Sequence, residues 1–63
     1  MPIVQIDLLE GRTIEQKRAL VEKVTEAVAE TVNCPKENVT IILRDMPTYN
    51  LGKAGKLRYE QDK

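Results

Sequence analysis

Hydrophobic and polar side chains alternate along the first part of the chain, from Ile3 to Leu9. This two-residue period is typical of a β-strand, in which successive side chains point to opposite faces. One face carries Val4, Ile6 and Leu8, and the other carries Ile3, Gln5, Asp7 and Leu9. Because the second face is mixed rather than polar, we expect both faces to be at least partly covered. Gly11 then permits a turn that ends the strand.

A helical period follows this turn. Apolar side chains recur at spacings of three and four residues, which predicts a helix from about Ile14 to Val32. The apolar stripe consists of Leu20, Val21, Val24, Ala27, Val28, Thr31 and Val32. Thr13 and Gln16 have the spacing of a capping box at the helix start. Asn33 favours a left-handed stop, and Pro35 cannot continue the helix.

A second alternating segment, Val39 to Arg44, predicts another strand. A strand, a helix and a strand joined in this way form a right-handed unit with parallel strands. Pro47 ends the second strand, and the turn-rich residues Thr48 to Gly55 predict a small hairpin or loop. The last eight residues, Lys56 to Lys63, are mostly charged, and we expect them to fray.

These elements predict one α/β (α+β) domain over residues 1–63, with two parallel strands, one long helix and a short C-terminal hairpin. A domain this small buries only about 60% of the surface of its unfolded chain. One helix covers one face of the sheet, whereas parallel sheets occur with both faces covered. A single Cys cannot form an internal disulfide, and without His we expect no metal site. We therefore predict a homo-oligomer.

The charged residues balance, with ten Lys and Arg against ten Asp and Glu. A nucleic-acid-binding protein would normally show a basic excess. The apolar runs are far shorter than the ~20 residues that span a bilayer, and no signal-peptide pattern opens the chain. We expect a cytoplasmic protein that needs no cofactor and binds neither nucleic acid nor membrane.

Pro2 is the residue that suggests chemistry, because it directly follows the initiator Met1. If Met1 is removed, Pro2 carries a free secondary amine, which can bind and release a proton. An apolar pocket and a nearby cation such as Arg12 both disfavour the ammonium form and lower the pKa of this amine. A general base works best when its pKa lies near the working pH. Pro2 and Arg12 therefore form a candidate active site.

The order of these features resembles the 4-oxalocrotonate tautomerase family. The matching residues are Met1-Pro2, Glu10-Gly11-Arg12-Thr13 with Glu15-Gln16-Lys17, Val39 to Leu43, and Gly52 with Gly55. The resemblance covers nearly the whole chain. It implies a β-α-β subunit that assembles as a hexamer, a trimer of dimers, and isomerises enols and dienols of small 2-oxo acids. Candidate substrates are therefore 2-hydroxymuconate-like dienols and phenylenolpyruvate-like enols.

The resemblance also implies roles for four residues. Pro2 is the general base, and Arg12 matches the arginine that binds the substrate carboxylate. Thr40 stands where the best-studied members have a second arginine, and Leu51 stands where they have an aromatic residue that lines the pocket. We expect Thr40 and Leu51 to contact substrate, without the bidentate guanidinium or the ring.

Two other functions stay open at this point. The first is the hydration chemistry of the related haloacrylate dehalogenases, in which the prolyl nitrogen is protonated and acts as an acid. It requires a carboxylate that activates water, for which Asp7 and Glu10 are candidates. The second is a non-catalytic oligomeric scaffold, which the change at Thr40 would favour.

Overall fold

The computed structural model describes residues 1–61 of the chain. The larger elements are β1 (Ile3–Leu9), α1 (Ile14–Val32), β2 (Thr40–Met46), β3 (Gly52–Lys53), β4 (Lys56–Leu57) and α2 (Arg58–Gln61). Two single 3₁₀ turns, Lys36–Asn38 and Thr48–Asn50, precede β2 and β3. The predicted bounds of β1 and α1 are confirmed. Neither described helix has the length and hydropathy needed to cross a bilayer.

Strands β1 and β2 are parallel, as predicted, with Ile3 opposite Thr40 and Leu9 opposite Met46. The predicted bounds of β2 are wrong at both ends. At its start, the N–H of Val39 donates to the carbonyl of Lys36 and closes the 3₁₀ turn, so the ladder begins one residue later.

At the other end of the sheet, β2 continues for two residues beyond the predicted Arg44. The N–H of Glu10 donates to the carbonyl of Met46 at 2.8 Å, which extends the backbone pairing past the end of β1. Pro47 follows and, as predicted, terminates the strand because it has no N–H to donate.

Both ends of α1 have the predicted caps. The Gln16 N–H donates to Thr13 Oγ1 at 3.1 Å, and the Thr13 N–H donates to Gln16 Oε1 at 2.9 Å. Asn33 takes the left-handed conformation with φ 58° and ψ 59°. These contacts satisfy backbone groups that have no partner within the helix.

The apolar stripe of α1 is confirmed in its middle and wrong near its end. The half-buried apolar or hydroxyl residues of the helix are Leu20, Val21, Val24, Thr25, Val28 and Ala29. Ala27 and Thr31 are exposed, and Val32 is 55% exposed. The 19-residue helix is about 28 Å long, whereas a seven-residue strand spans about 23 Å. The last helical turn, which contains Thr31 and Val32, therefore extends beyond the sheet, whereas the exposure of Ala27 does not follow from this difference in length.

One face of the β1–β2 sheet packs against α1, and the opposite face has no covering element among residues 1–61. This open face consists of Ile3, Gln5, Asp7 and Leu9 of β1 with Thr40, Ile42, Arg44 and Met46 of β2. No described residue is fully enclosed by the rest of the chain. The chain exposes 5095 Å², whereas a folded monomer of this mass exposes about 4,100 Å². The single chain thus lacks the core that an independent domain needs.

The C-terminal segment forms a hairpin, as predicted, in which Gly52 pairs with Leu57 in antiparallel register. The expected fraying is wrong for residues 56–61, because hydrogen bonds hold them. The Arg58 N–H donates to the carbonyl of Leu51 at 2.8 Å, and the Leu57 N–H donates to Glu60 Oε1 at 3.3 Å. The rest of that expectation, for residues 62–63, lies outside the described residues.

Candidate active site

Pro2 lies at the start of the parallel sheet. Its carbonyl oxygen accepts a hydrogen bond from the Thr40 N–H at 3.0 Å, so the backbone ladder already includes it. Pro2 is half-buried, whereas Met1 before it is 90% exposed. The structure therefore fixes Pro2 on a rigid element and leaves the preceding residue accessible.

Thr40 is the β2 residue that holds Pro2, and this contact uses only its backbone. Its side chain is exposed and belongs to the open face, next along that face to Ile42. Pro2 and Thr40 are thus adjacent at the start of the sheet.

Arg12 lies beyond the other end of β1. It follows Gly11, whose φ of 111° makes the turn, and it precedes the helix cap at Thr13. Its side chain is exposed and has no ion-pair partner among residues 1–61. An unpaired guanidinium in this position is available to a carboxylate.

A cavity of about 200 Å³ lies between the end of β1 and the first turns of α1. It is lined by Leu8, Arg12, Gln16, Lys17 and Leu20. Lys17 also donates to Asp45 Oδ2 at 2.6 Å. Gln16 and Lys17 were not predicted as cavity residues, although both belong to the motif that carried the resemblance.

One chain does not bring Pro2 and Arg12 together. They flank the two ends of a seven-residue strand, which spans about 23 Å at 3.3 Å per residue. A small 2-oxo acid cannot bridge that distance. If both residues act on one substrate, they must come from different subunits.

Leu51 is half-buried in the C-terminal segment, directly after the Thr48–Asn50 turn. The main contacts of this segment are among the 3₁₀ turn, the hairpin and α2 rather than with the β1–β2 sheet. Leu51 therefore lies in a segment that is separate from the β1–β2 sheet. Its position relative to the Pro2 of another chain depends on assembly.

The two carboxylates considered for water activation have different surroundings. Asp7 accepts a hydrogen bond from Arg44 Nε at 3.1 Å on the open face. Glu10 is exposed at the end of β1, on the same side of the molecule as Arg12 rather than Pro2. Within one chain, neither carboxylate lies beside the prolyl nitrogen.

Known proteins resemble this chain in both sequence and fold. The tautomerase enzyme family matches residues 2–58. A probable tautomerase of Halalkalibacterium halodurans is 55% identical over 56 residues, which cover 89% of this chain and 92% of the relative. The 2-hydroxymuconate tautomerase of Comamonas testosteroni is 51% identical over 55 residues, which cover 87% of each chain.

Three solved structures illustrate the range of similar folds. A 4-oxalocrotonate tautomerase isozyme of Methylibium petroleiphilum has a TM-score of 0.93 and 38% identity, with 97% of this chain and 95% of that chain covered. A heterohexameric 4-oxalocrotonate tautomerase of Chloroflexus aurantiacus has a TM-score of 0.91 and 30% identity, covering 95% and 97%. A trans-3-chloroacrylic acid dehalogenase has a TM-score of 0.81 and 32% identity, covering 89% and 97%.

These matches confirm the resemblance that the motifs indicated. They extend from the proline at position 2 through both strands, the helix and the hairpin. The chain belongs to the tautomerase family and is an isomerase of the 4-oxalocrotonate tautomerase type.

Proposed function

We propose that this protein catalyses the enol–keto tautomerisation of small 2-oxo acids, with 2-hydroxymuconate-like dienols or phenylenolpyruvate-like enols as substrates. The observation that carries the proposal is the position of Pro2, which is half-buried and bound through its carbonyl to Thr40 at 3.0 Å. A base must be held in place to transfer a proton efficiently. The 2-hydroxymuconate tautomerase of Comamonas testosteroni supports the substrate class.

Removal of Met1 converts the Pro2 nitrogen from an amide into a secondary amine. In its neutral form the amine takes the proton from the enol hydroxyl, and the O–H bonding electrons form the new carbonyl. The displaced π electrons move along the conjugated chain to a carbon, which receives the proton back from the same nitrogen. One base is therefore enough, and the cycle returns Pro2 to its starting form.

Arg12 binds the substrate carboxylate and draws electron density toward that end of the molecule. Its guanidinium has no competing ion pair among the described residues, and the cavity beside it contains two leucine side chains. A cation in such a partly apolar site stabilises the dienolate that forms between the two proton transfers. Leu51 contributes to the apolar wall.

In this proposal the hydroxyl of Thr40 also binds the substrate. It lies beside Pro2, where the family resemblance places a second arginine. One hydroxyl provides a single hydrogen bond, whereas a guanidinium provides a charged, bidentate contact. We therefore expect this protein to favour dicarboxylate substrates less strongly than an enzyme that has an arginine at this position.

The active site is completed between subunits of a homo-oligomer, for which a hexamer built as a trimer of dimers is the proposed form. The separation of Pro2 and Arg12 along β1 and the absence of any buried residue among residues 1–61 support assembly. The Chloroflexus aurantiacus relative is itself a heterohexamer.

Dehalogenase-type hydration is the second candidate, and the similarity to a trans-3-chloroacrylic acid dehalogenase favours it. It requires a protonated prolyl nitrogen and a carboxylate that activates water. Asp7 already binds Arg44, and Glu10 lies near the Arg12 end of the strand. Tautomerisation needs neither carboxylate, so we prefer it. A non-catalytic scaffold is not supported, because the chain is of the tautomerase enzyme type.

The test begins with intact mass, which must show the loss of Met1. Ketonisation of 2-hydroxymuconate and phenylenolpyruvate is then measured for the wild type and Pro2→Ala. We expect Pro2→Ala to lower kcat/KM by about 100-fold or more. Pro35→Ala is the matched control, since Pro35 is exposed and lies outside the sheet, and it should retain wild-type activity. A processed enzyme whose activity survives Pro2→Ala would refute the proposal.

A further inference from the structure

Lys17 lies in line with the apolar stripe of α1. It precedes Leu20, Val21 and Val24 by three, four and seven residues, so it belongs to the helix face that packs against the sheet. Among the described residues of α1, Lys17 is the one charged residue that is half-buried, with 31% of its side chain exposed. Lysine side chains are mostly exposed in folded proteins, so packing alone does not account for a lysine at this position.

Asp45 is the partner of Lys17 on the sheet. It lies opposite Leu8 in the parallel register and follows Ile41 and Leu43 on the strand face that packs against α1. The Lys17 ammonium donates to Asp45 Oδ2 at 2.6 Å. Well-packed apolar residues in place of an enclosed ion pair are often equally stabilising. Stability therefore gives little reason for two charges between the helix and the sheet.

The ion pair adjoins the cavity that contains Arg12. Lys17 itself lines this cavity of about 200 Å³, together with Gln16, Arg12 and two leucines. An ammonium has three N–H donors, and Asp45 accepts one of them. Gln16 Oε1 already accepts the Thr13 N–H at 2.9 Å, so the amide nitrogen is the group left to bind a ligand. The polar side chains of the cavity are thus donors, which suits an anion.

We propose that Lys17 is a second cation for the carboxylate that Arg12 binds, and that Asp45 is a positioning residue that holds the Lys17 ammonium beside the cavity. The proposal rests on the proposed function, in which a carboxylate substrate occupies the Arg12 cavity. Two cationic donors on one carboxylate strengthen its binding and fix its orientation, because they contact different oxygen lone pairs. Asp45 offsets one of the two positive charges, so the net charge of the site matches a single carboxylate.

The experiment measures the binding of trans,trans-muconate by isothermal titration calorimetry. Muconate is a conjugated dicarboxylate without an enol hydroxyl, so it cannot undergo the proposed tautomerisation and its Kd reports on binding alone. Lys17→Met should raise this Kd by at least about tenfold, because a hydrogen bond to a charged group is lost. Lys23→Met removes the same charge from an exposed position on α1, and its Kd should equal that of the wild type.

Asp45→Asn separates substrate binding from a structural role of the ion pair. Lys17→Met and Asp45→Asn both break the ionic link between α1 and β2, so a purely structural role predicts the same change in Kd for both. In the proposed role, Asp45→Asn keeps the ammonium and loses the negative charge beside it, so its Kd should fall by about threefold. The Tm of each variant, compared at one protein concentration, shows the structural effect separately.

Lys17→Gln gives a second measurement if Lys17→Met does not fold. Its amide can still donate to Asp45 but carries no charge, so its Kd should rise by at least about fivefold. Equal Kd values for Lys17→Met and Asp45→Asn would overturn the proposal, and so would a wild type that does not bind muconate. If muconate binds as expected but the wild type does not ketonise the enols, the catalytic proposal fails and the assignment of Lys17 stands.

Discussion

Pro2 and Arg12 lie beyond opposite ends of the same strand, β1, with seven extended residues between them. Strand geometry sets this separation at about 23 Å, and no rotation of either side chain closes such a gap. The Thr40 N–H fixes the Pro2 end, and the turn at Gly11 fixes the Arg12 end. A site that uses both residues requires two chains.

Mixed oligomers provide a direct test of this arrangement. Pro2→Ala and Arg12→Ala should each lower activity, whereas oligomers refolded from an equal mixture should regain part of it. In those mixtures about a quarter of the sites combine an intact Pro2 with an intact Arg12 from a different chain, if subunits assemble at random. Activity per site after refolding, compared with the unmixed variants, is the measurement. Mixed oligomers that form without regaining activity would contradict the shared site.

Arg12→Ala should mainly weaken substrate binding. A hydrogen bond to a charged group contributes about 1.5–3 kcal/mol, so kcat/KM should fall by about 10- to 150-fold. An increase in KM alone would indicate that Arg12 binds the substrate and the transition state equally well. A fall in kcat together with kcat/KM would indicate that Arg12 stabilises the dienolate. Arg18→Ala is the control, because Arg18 is exposed on α1 and carries the same charge. Equal kinetics in the two variants would exclude Arg12 from the site.

Thr40→Arg should increase selectivity for a dicarboxylate. The substitution adds a bidentate cation beside Pro2 without altering the backbone hydrogen bond that holds it. We expect kcat/KM for 2-hydroxymuconate to rise by about tenfold relative to that for phenylenolpyruvate, which has one carboxylate. Thr31→Arg on the exposed part of α1 is the matched control. If the ratio of the two kcat/KM values does not change, Thr40 does not line the substrate pocket.

Thr13→Ala should destabilise the fold by removing the helix cap. Its Oγ1 accepts the Gln16 N–H at 3.1 Å, and loss of such a cap costs about 1 kcal/mol. For a domain of this size that corresponds to a decrease in Tm of about 4–8 °C. Thermal unfolding is compared at one protein concentration, because assembly makes Tm depend on concentration. Thr31→Ala, which removes an exposed hydroxyl from the same helix, should cause no comparable decrease.

The local elements were predictable because short-range interactions specify them. Alternation fixes the two faces of β1, and the Thr13–Gln16 cap and the left-handed Asn33 fix the ends of α1 within a few residues. Pro2 and Arg12 could also be proposed from the sequence as candidate site residues, since a prolyl amine exposed by loss of Met1 and a cation after a Gly turn depend on local chemistry.

Other features depend on contacts between distant segments, and the sequence did not reveal them. The ends of β2 follow from backbone bonds to Pro2 and Glu10, and the order of residues 56–61 follows from bonds that involve Leu51 and Glu60. The pairing of Arg44 with Asp7 joins residues 37 positions apart.

The sequence by itself determined the order of elements, the two strand faces, the helix caps and the residues able to carry the chemistry. Tertiary structure decided where those residues lie relative to one another: Pro2 beside Thr40, Arg12 at the far end of β1, and the Asp7–Arg44 pair on the open face. The physical reason is the distance along the chain over which each kind of interaction acts. Propensity and periodicity act over one or two turns of chain, whereas strand register and packing place side chains from remote segments side by side.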